Sequence, residues 1–152
     1  MIVDADGLER LRGRVTMVDG GFDPIHDGHV AYFAAAAEFG LPVLCNLAPD
    51  SWIRPKHPPL LTQEQRARVI DAFRDVAYTH LAEAATVDVL RLVQPRYYVK
   101  GADWRGRLPA EELEACRDGG GEVVFVDTVL GSSTQLLRQV VERAGAGEAV
   151  PR

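Results

Sequence analysis

Lysine is nearly absent from this chain of 152 residues. Of its 17 Lys and Arg residues only Lys56 and Lys100 are lysines. Writing almost every cation as arginine is the mark of a genomic bias, and a lysine kept against it hints that a compact, flexible ammonium is wanted there. Cysteine is as scarce. Cys45 and Cys116 stand alone and far apart, which excludes a CxxC pair and a disulfide framework and reads as two buried free thiols. There is no run of about 20 apolar residues, and Met1–Asp6 lacks a basic region before an apolar stretch. A soluble, cytoplasmic protein without a membrane partner is therefore expected. Positive charge is not in excess either: a formal net charge of -5 argues against a long nucleic-acid footprint. The length suits one domain, residues 1–152, large enough to bury a core.

What is present is organised around Gly20-Gly21-Phe22-Asp23-Pro24-Ile25-His26-Asp27-Gly28-His29. The apolar run Val15–Val18 before it reads as a strand, and Val30–Ala37 after it is rich in helix formers. The motif thus lies at a strand-to-helix turn, where exposed N–H groups favour an anion. Gly20 and Gly21, without Cβ atoms, allow a ligand close to the backbone. His26 and His29, three apart, point into one site, and two imidazoles beside a helix start suit a phosphate. Asp23, His26 and His29 also spell Asp-x-x-His-x-x-His, a competing pattern that zinc can use when its ligands converge.

Further along, Phe39–Pro42 ends the helix and Val43–Leu47 reads as a short, nearly continuously apolar strand, as a buried parallel sheet requires. Ala48–Leu60 carries four prolines, so it reads as a long loop without regular structure. Its tip holds Arg54, Lys56 and His57, a cationic set that suits a triphosphate if the loop is a lid rather than plain surface. Thr62 and Gln65 form a capping box for a helix through Phe73. Asp75–Leu81 reads as a strand, with His80 structural, and Val87–Val93 as a helix ended near Pro95. Arg96–Lys100 is a strand that delivers Gly101 and Asp103 at its carboxyl end, where ligands collect in open α/β sheets. Leu108–Asp118 reads as a helix, Glu122–Val126 as the last strand, and Gln135–Arg143 as a helix opened by Ser132, Ser133 and Thr134. Hydroxyls there cap a helix and can also bond a phosphate. Residues 6–14 read as a lead-in helix and 144–152 as a frayed tail.

Gly-x-Phe-Asp-x-x-His-x-Gly-His resembles the signature of the cytidylyltransferase-like nucleotidyltransferases, with all six fixed positions present. The resemblance covers about residues 14–143, with the motifs in the expected order. It implies an α/β, Rossmann-like open sheet, mostly parallel, of about five strands with helices on both faces. It implies that His26 and His29 contact the phosphates of a nucleoside triphosphate, that Arg66 within Glu-x-Arg contacts the nucleotide, and that Ser132–Thr134 stand where the family carries Ser-Thr-Thr. Gly20, Gly21, Phe22, Asp23, Gly28, Lys100, Gly101 and Asp103 fall on the nucleotide side of the same site, and Lys56 joins the histidines in catalysis. Val76-Ala77 departs from the Val-Asp usual in related enzymes.

The implied reaction joins a phosphorylated small molecule to the α-phosphorus of a triphosphate, with Mg²⁺ as cofactor and pyrophosphate as product. Val99-Lys100-Gly101-x-Asp103 is similar to the heptose 1-phosphate adenylyltransferases. Asp103-Trp104-x-Gly106-Arg107 looks more like the glycerol-3-phosphate cytidylyltransferases. ATP with a sugar phosphate is the first expectation and CTP with a polyol phosphate the second. A nucleotide-binding sensor on the same fold is the reading from another class. A homodimer is typical of the family.

Overall fold

The computed structural model describes residues 1–128 and 132–146. Ile2–Val3 (β1) leads into a short helix, Ala5–Arg10 (α1), started by Asp4, whose carboxylate accepts from the Gly7 amide. Thr16–Gly20 (β2) runs to the glycine motif, and helix Asp27–Ala37 (α2) follows. Val43–Leu47 (β3) is buried at every position, Asn46 included, as its nearly continuous apolar sequence requires in a sheet covered on both faces. The chain continues through Asp50–Ile53 (α3), Gln63–Asp71 (α4), Tyr78–Leu81 (β4), Thr86–Val93 (α5) and Tyr97–Gly101 (β5). A single 3₁₀ turn at Ala102–Trp104, then Ala110–Asp118 (α6), Glu122–Val126 (β6) and Ser133–Gly145 (α7) complete it.

The strands form one sheet in the order β1-β4-β3-β2-β5-β6, and every neighbouring pair is parallel. From β2 the chain builds outward through β3 to β4, then returns to lay β5 on the opposite side of β2. The order therefore reverses between β2 and β5, and the crevice beyond their carboxyl ends is where such folds bind ligands. Alternation within the strands divides the core. Val18, Cys45 and Leu47 face the layer of α2 and α4, packing with Phe33, Ala67 and Ile70. Met17, Leu44 and Tyr98 face the other layer, packing with Leu8 of α1, Val89 and Leu90 of α5 and Cys116 of α6. Both cysteines are free and buried. No described helix is long and apolar enough to cross a membrane.

Three expectations change. The sheet has six strands rather than about five, because Ile2 and Val3 pair with Thr79 and His80 at its edge; two residues are too few to show a period. His80 binds this edge, its Nδ1 lying 3.1 Å from the Val3 carbonyl oxygen. The 48–60 segment is not wholly irregular, since α3 occupies its first half. Pro49 caps that turn and Pro55 lies just beyond it, and proline is tolerated at both positions. The final helix runs through Gly145, so residues 144 and 145, expected as tail, are helical; residues 147–152 and Gly131 lie outside the described residues.

Candidate functional site

A cavity of 380 Å³ opens beyond the carboxyl ends of β2 and β5, lined by residues from the motif, the 48–60 segment, the β5 end and the start of α7. At Gly20 a Cβ would come within 3.0 Å of the Phe22 ring, and at Gly101 within 2.5 Å of the Asp103 carboxylate. Glycine at both positions lets neighbouring groups fold over the backbone. Phe22 takes a left-handed conformation, φ 50°, at a cost of about 1–2 kcal/mol. Its burial offsets that cost: its ring centroid lies 4.9 Å from His29, edge-on, and 5.1 Å from Phe33. Asp23 is buried, and its Oδ2 accepts from the Leu60 amide at 2.7 Å. Its Oδ1 has no partner among the described residues.

The two histidines are set by the first turn of α2. His26 is the N-cap, and its Nδ1 accepts from the Gly28 amide at 3.1 Å. His29 reaches back so that its Nδ1 accepts from the His26 amide at 3.3 Å. The rings stack with centroids 3.7 Å apart. An Nδ1 that accepts must be unprotonated, so each neutral ring carries its hydrogen on Nε2. The Nε2 of His26 is buried and has no partner among the described residues. Burial pushes the pKa of His29 down to about 3, with His26 adding to the effect and Asp27 opposing it. Burial lowers that of His26 too, again against Asp27. The pair is thus two neutral N–H donors at a helix N-terminus. Because both Nδ1 atoms are occupied by backbone amides, the Asp-x-x-His-x-x-His spacing acts here as a cap. Among the described residues no three His, Cys, Asp or Glu side chains gather to hold a metal ion.

The opposite wall is built on β5. Lys100 is buried, with Nζ 2.5 Å from Asp19 Oδ1 and 4.3 Å from the Trp104 ring centroid. The Tyr98 hydroxyl lies 3.0 Å from Asp19 Oδ2 and 2.9 Å from Glu112 Oε2. One hydroxyl proton cannot serve two carboxylates. Burial raises the pKa of Glu112, and Asp19 adds to the effect, while the Tyr98 hydroxyl and Lys100 oppose it. Asp103 follows on the exposed 3₁₀ turn and lines the cavity.

Lys56 enters from the 48–60 segment, its Nζ 3.3 Å from the Trp52 ring centroid. Partial burial and, secondarily, the Lys100 charge lower its pKa. On the remaining side Ser132 caps α7 by accepting from the Gln135 amide, and Ser133 Oγ donates to the Pro24 carbonyl at 2.8 Å. The helix start is thereby fastened to the motif.

Gly20, Gly21, Phe22, Asp23, His26, Gly28, His29, Lys56, Lys100, Gly101, Asp103, Ser132, Ser133 and Thr134 all line the one cavity. Arg66 does not. Its side chain is wholly buried. Nε donates to the Leu61 carbonyl at 3.3 Å, Nη1 to those of Gly21 and Ala48 at 2.7 and 2.9 Å, and Nη2 to Asp50 at 2.6 Å. Arg66 therefore ties the glycine turn to both ends of the 48–61 segment, and the solvated arginine of the alternative reading is not found either. Asp19, Trp52, Trp104 and Arg107 also line the cavity, beyond the site residues expected from the sequence. A carboxylate ending an apolar strand just before the glycines was the available signal for Asp19.

Residues 17–139 match the model of the cytidylyltransferase-like family. The chain is 36% identical over 143 residues to the bifunctional protein HldE of Gluconobacter oxydans, a match covering 91% of this chain and 30% of that protein. It is 38% identical over 141 residues to the bifunctional protein HldE of Gluconacetobacter diazotrophicus, covering 89% and 28%. It therefore spans less than a third of the length of these relatives. A lipopolysaccharide core biosynthesis protein from Thermoplasma volcanium superposes with a TM-score of 0.63 at 24% identity, over 75% of this chain and 94% of that one, a likeness of fold. With its signature motif intact and the family model matched over most of its length, the chain belongs to the cytidylyltransferase-like family.

Proposed function

We propose that this nucleotidyltransferase moves a nucleoside monophosphate from ATP to a sugar phosphate. An oxygen of the acceptor phosphate attacks the α-phosphorus and forms a new P–O–P linkage. The bond from that phosphorus to the oxygen bridging to the β-phosphate breaks, and pyrophosphate leaves with the electron pair. A phosphate monoester, with a second pKa near 6, is already an anionic nucleophile at neutral pH, so no general base is required. Catalysis rests on positioning and on donors aimed at developing charge.

The observation that carries this reading is the stacked pair of neutral histidines, whose Nε2–H donors are fixed by backbone amides at the start of α2. They face a cavity that Lys100 and Lys56 also line. Mg²⁺ is the proposed cofactor, and it would neutralise charge on the phosphates. It binds through one or two carboxylates with substrate phosphates and water. Asp23, with a buried oxygen lacking a partner, and Asp103 fit that need. Val99-Lys100-Gly101 favours ATP with a sugar phosphate. Trp104 and Arg107, both lining the cavity, favour the second reading, CTP with a polyol phosphate.

A pyrophosphate-release assay crossing ATP and CTP with sugar and polyol phosphates tests the proposal; release with no pair overturns it and leaves the sensor reading. His26→Ala should lower kcat by about 10²–10³-fold, as loss of one preorganised donor does, and an unchanged kcat would remove His26 from the chemistry. His29 should stay neutral far below pH 6.5. Between pH 6.5 and 3 the unfolded chain binds a proton there that the folded chain refuses, so this group makes stability fall as pH drops through that window. Imidazole ¹⁵N shifts followed from pH 8 to 4 check this; titration near 6.5 would contradict it.

A further inference from the structure

Tyr98 stands between two acids. Its hydroxyl oxygen lies 3.0 Å from Asp19 Oδ2 and 2.9 Å from Glu112 Oε2. Asp19 Oδ1 holds the Lys100 ammonium, and the Thr86 hydroxyl lies 3.4 Å from Oδ2. Burial, with the two carboxyls, raises the pKa of Tyr98 well above its ordinary value, so the phenol keeps its single hydrogen. That hydrogen can point to one acid only. To the other the phenol presents a lone pair at hydrogen-bond distance, which is favourable only when that acid carries a hydrogen of its own. The surrounding charges say which acid it is. Asp19 has a cation, whereas none pairs with Glu112 among the described residues. A cavity of 560 Å³ opens beside them, and its charged lining is Asp19, Glu83, Lys100 and Glu112, three acids to one ammonium. Asn46, the register partner of Asp19 on β3, adds only a neutral amide. α5 meets α6 through Val89, Leu90 and Val93, and its Asp88 and Arg91 pair with each other, largely exposed. Glu111 and Glu114 of α6 are exposed. Burial and the Asp19 charge raise the pKa of Glu112, against the Tyr98 hydroxyl and Lys100.

We propose that Tyr98 and Glu112 are positioning residues for Lys100. Glu112, held as the neutral acid, donates to the Tyr98 oxygen, Tyr98 donates to Asp19 Oδ2, and Asp19 Oδ1 is thereby fixed to hold the ammonium. Lys100 lines the cavity of the two histidines as well, and the inference rests on the transfer reading above for what its charge does there. Loss of the Glu112 proton to solvent turns the Tyr98 hydrogen toward Glu112. Asp19 Oδ2 then keeps only the Thr86 hydroxyl, and a second carboxylate charge competes with phosphates for the one ammonium. Glu112 thus acts on Lys100 through two intervening groups, and a neutral Glu112 leaves this wall without excess negative charge beside an anionic ligand.

Infrared difference spectra of wild type against Glu112→Gln at pH 7 test the proton: a protonated carboxyl band should be present in wild type and missing from the variant. Ammonium ¹⁵N spectra test its effect on Lys100. The chain has only two lysines, so Lys56→Ala identifies the Lys100 signal. Glu112→Leu should move that signal and Glu112→Gln should leave it in place, because the amide N–H donates to Tyr98 as the acid does. In turnover, Glu112→Leu should lower kcat about tenfold while KM for the triphosphate shifts less than about twofold, as for a displaced transition-state contact. Glu112→Gln should stay within about threefold of wild type at pH 7, and its rate should gain on wild type as pH rises and the wild-type acid ionises. Tyr98→Phe, which keeps the ring, serves as second variant if Glu112→Leu fails to fold, with the same tenfold loss expected. No acid band in wild type, a Gln variant as slow as the Leu variant, or a wild-type kcat in Glu112→Leu or Tyr98→Phe overturns the inference. Absence of pyrophosphate release by wild type with every nucleotide and acceptor would sink the transfer reading instead. The acid band and the Lys100 signal then decide the positioning without turnover.

Discussion

The two lysines of the chain reach one cavity from opposite sides, under opposite physical regimes. Lys100 sits on a buried strand, its charge matched by Asp19 and its neighbours locked by Tyr98 and Glu112. Lys56 sits on an exposed segment, resting on the face of Trp52, without an ion-pair partner among the described residues. The buried one is preorganised and cannot be removed without leaving a carboxylate that has lost its cation; the exposed one rests on an aromatic face and pairs with no carboxylate among the described residues.

Substitution of Lys100 should show the largest difference. Lys100→Met leaves the half-buried Asp19 carboxylate without its cation, beside only the Tyr98 and Thr86 hydroxyls, so stability should fall by about 3 kcal/mol in denaturant unfolding. The double variant with Asp19→Asn should recover most of it. A loss below about 1 kcal/mol would mean that the pair is no better placed than a surface one.

Lys56→Ala should do the reverse. Unfolding should change by no more than about 0.5 kcal/mol, as for ordinary surface positions, while kcat/KM falls on the order of tenfold to a hundredfold through loss of a cation near transferring charge. Lys56→Arg should restore part of that loss, since a planar fork has a different reach. Wild-type kinetics for Lys56→Ala would show the segment to be ordinary surface.

The smallest effect is expected from Trp52→Leu. It removes a cation–π contact of about 0.5–1 kcal/mol, so KM for the triphosphate should shift less than about fivefold at unchanged kcat. A larger loss in kcat would mean that the tryptophan does more than hold the ammonium.

The glycine-histidine motif was legible because its requirements are local: close backbone approach, a helix start and two imidazoles one turn apart fall within ten consecutive residues. The pattern of parallel strands and helices was legible for the same reason, through apolar runs and capping boxes. The role of Arg66 was not. An arginine at a helix start looks outward in sequence, and only the return of three separate carbonyls around it makes it internal. Asn46, Glu112 and Asp19 meet only because β2 lies between β3 and β5, an order that no single segment records. The edge strand at Ile2–Val3 was hidden by its shortness, and α3 by prolines that bracket the turn instead of breaking it.

The Arg66 clamp bears on how such a site can change. Three of the four groups it grips are main-chain carbonyls, which every amino acid supplies. Exposed side chains between residues 51 and 60 can therefore be exchanged while the frame that presents them, with the buried Ile53, stays in place. A segment held this way behaves as a replaceable insert: the chemistry it presents to the cavity can drift, and the glycine turn beside it keeps its shape.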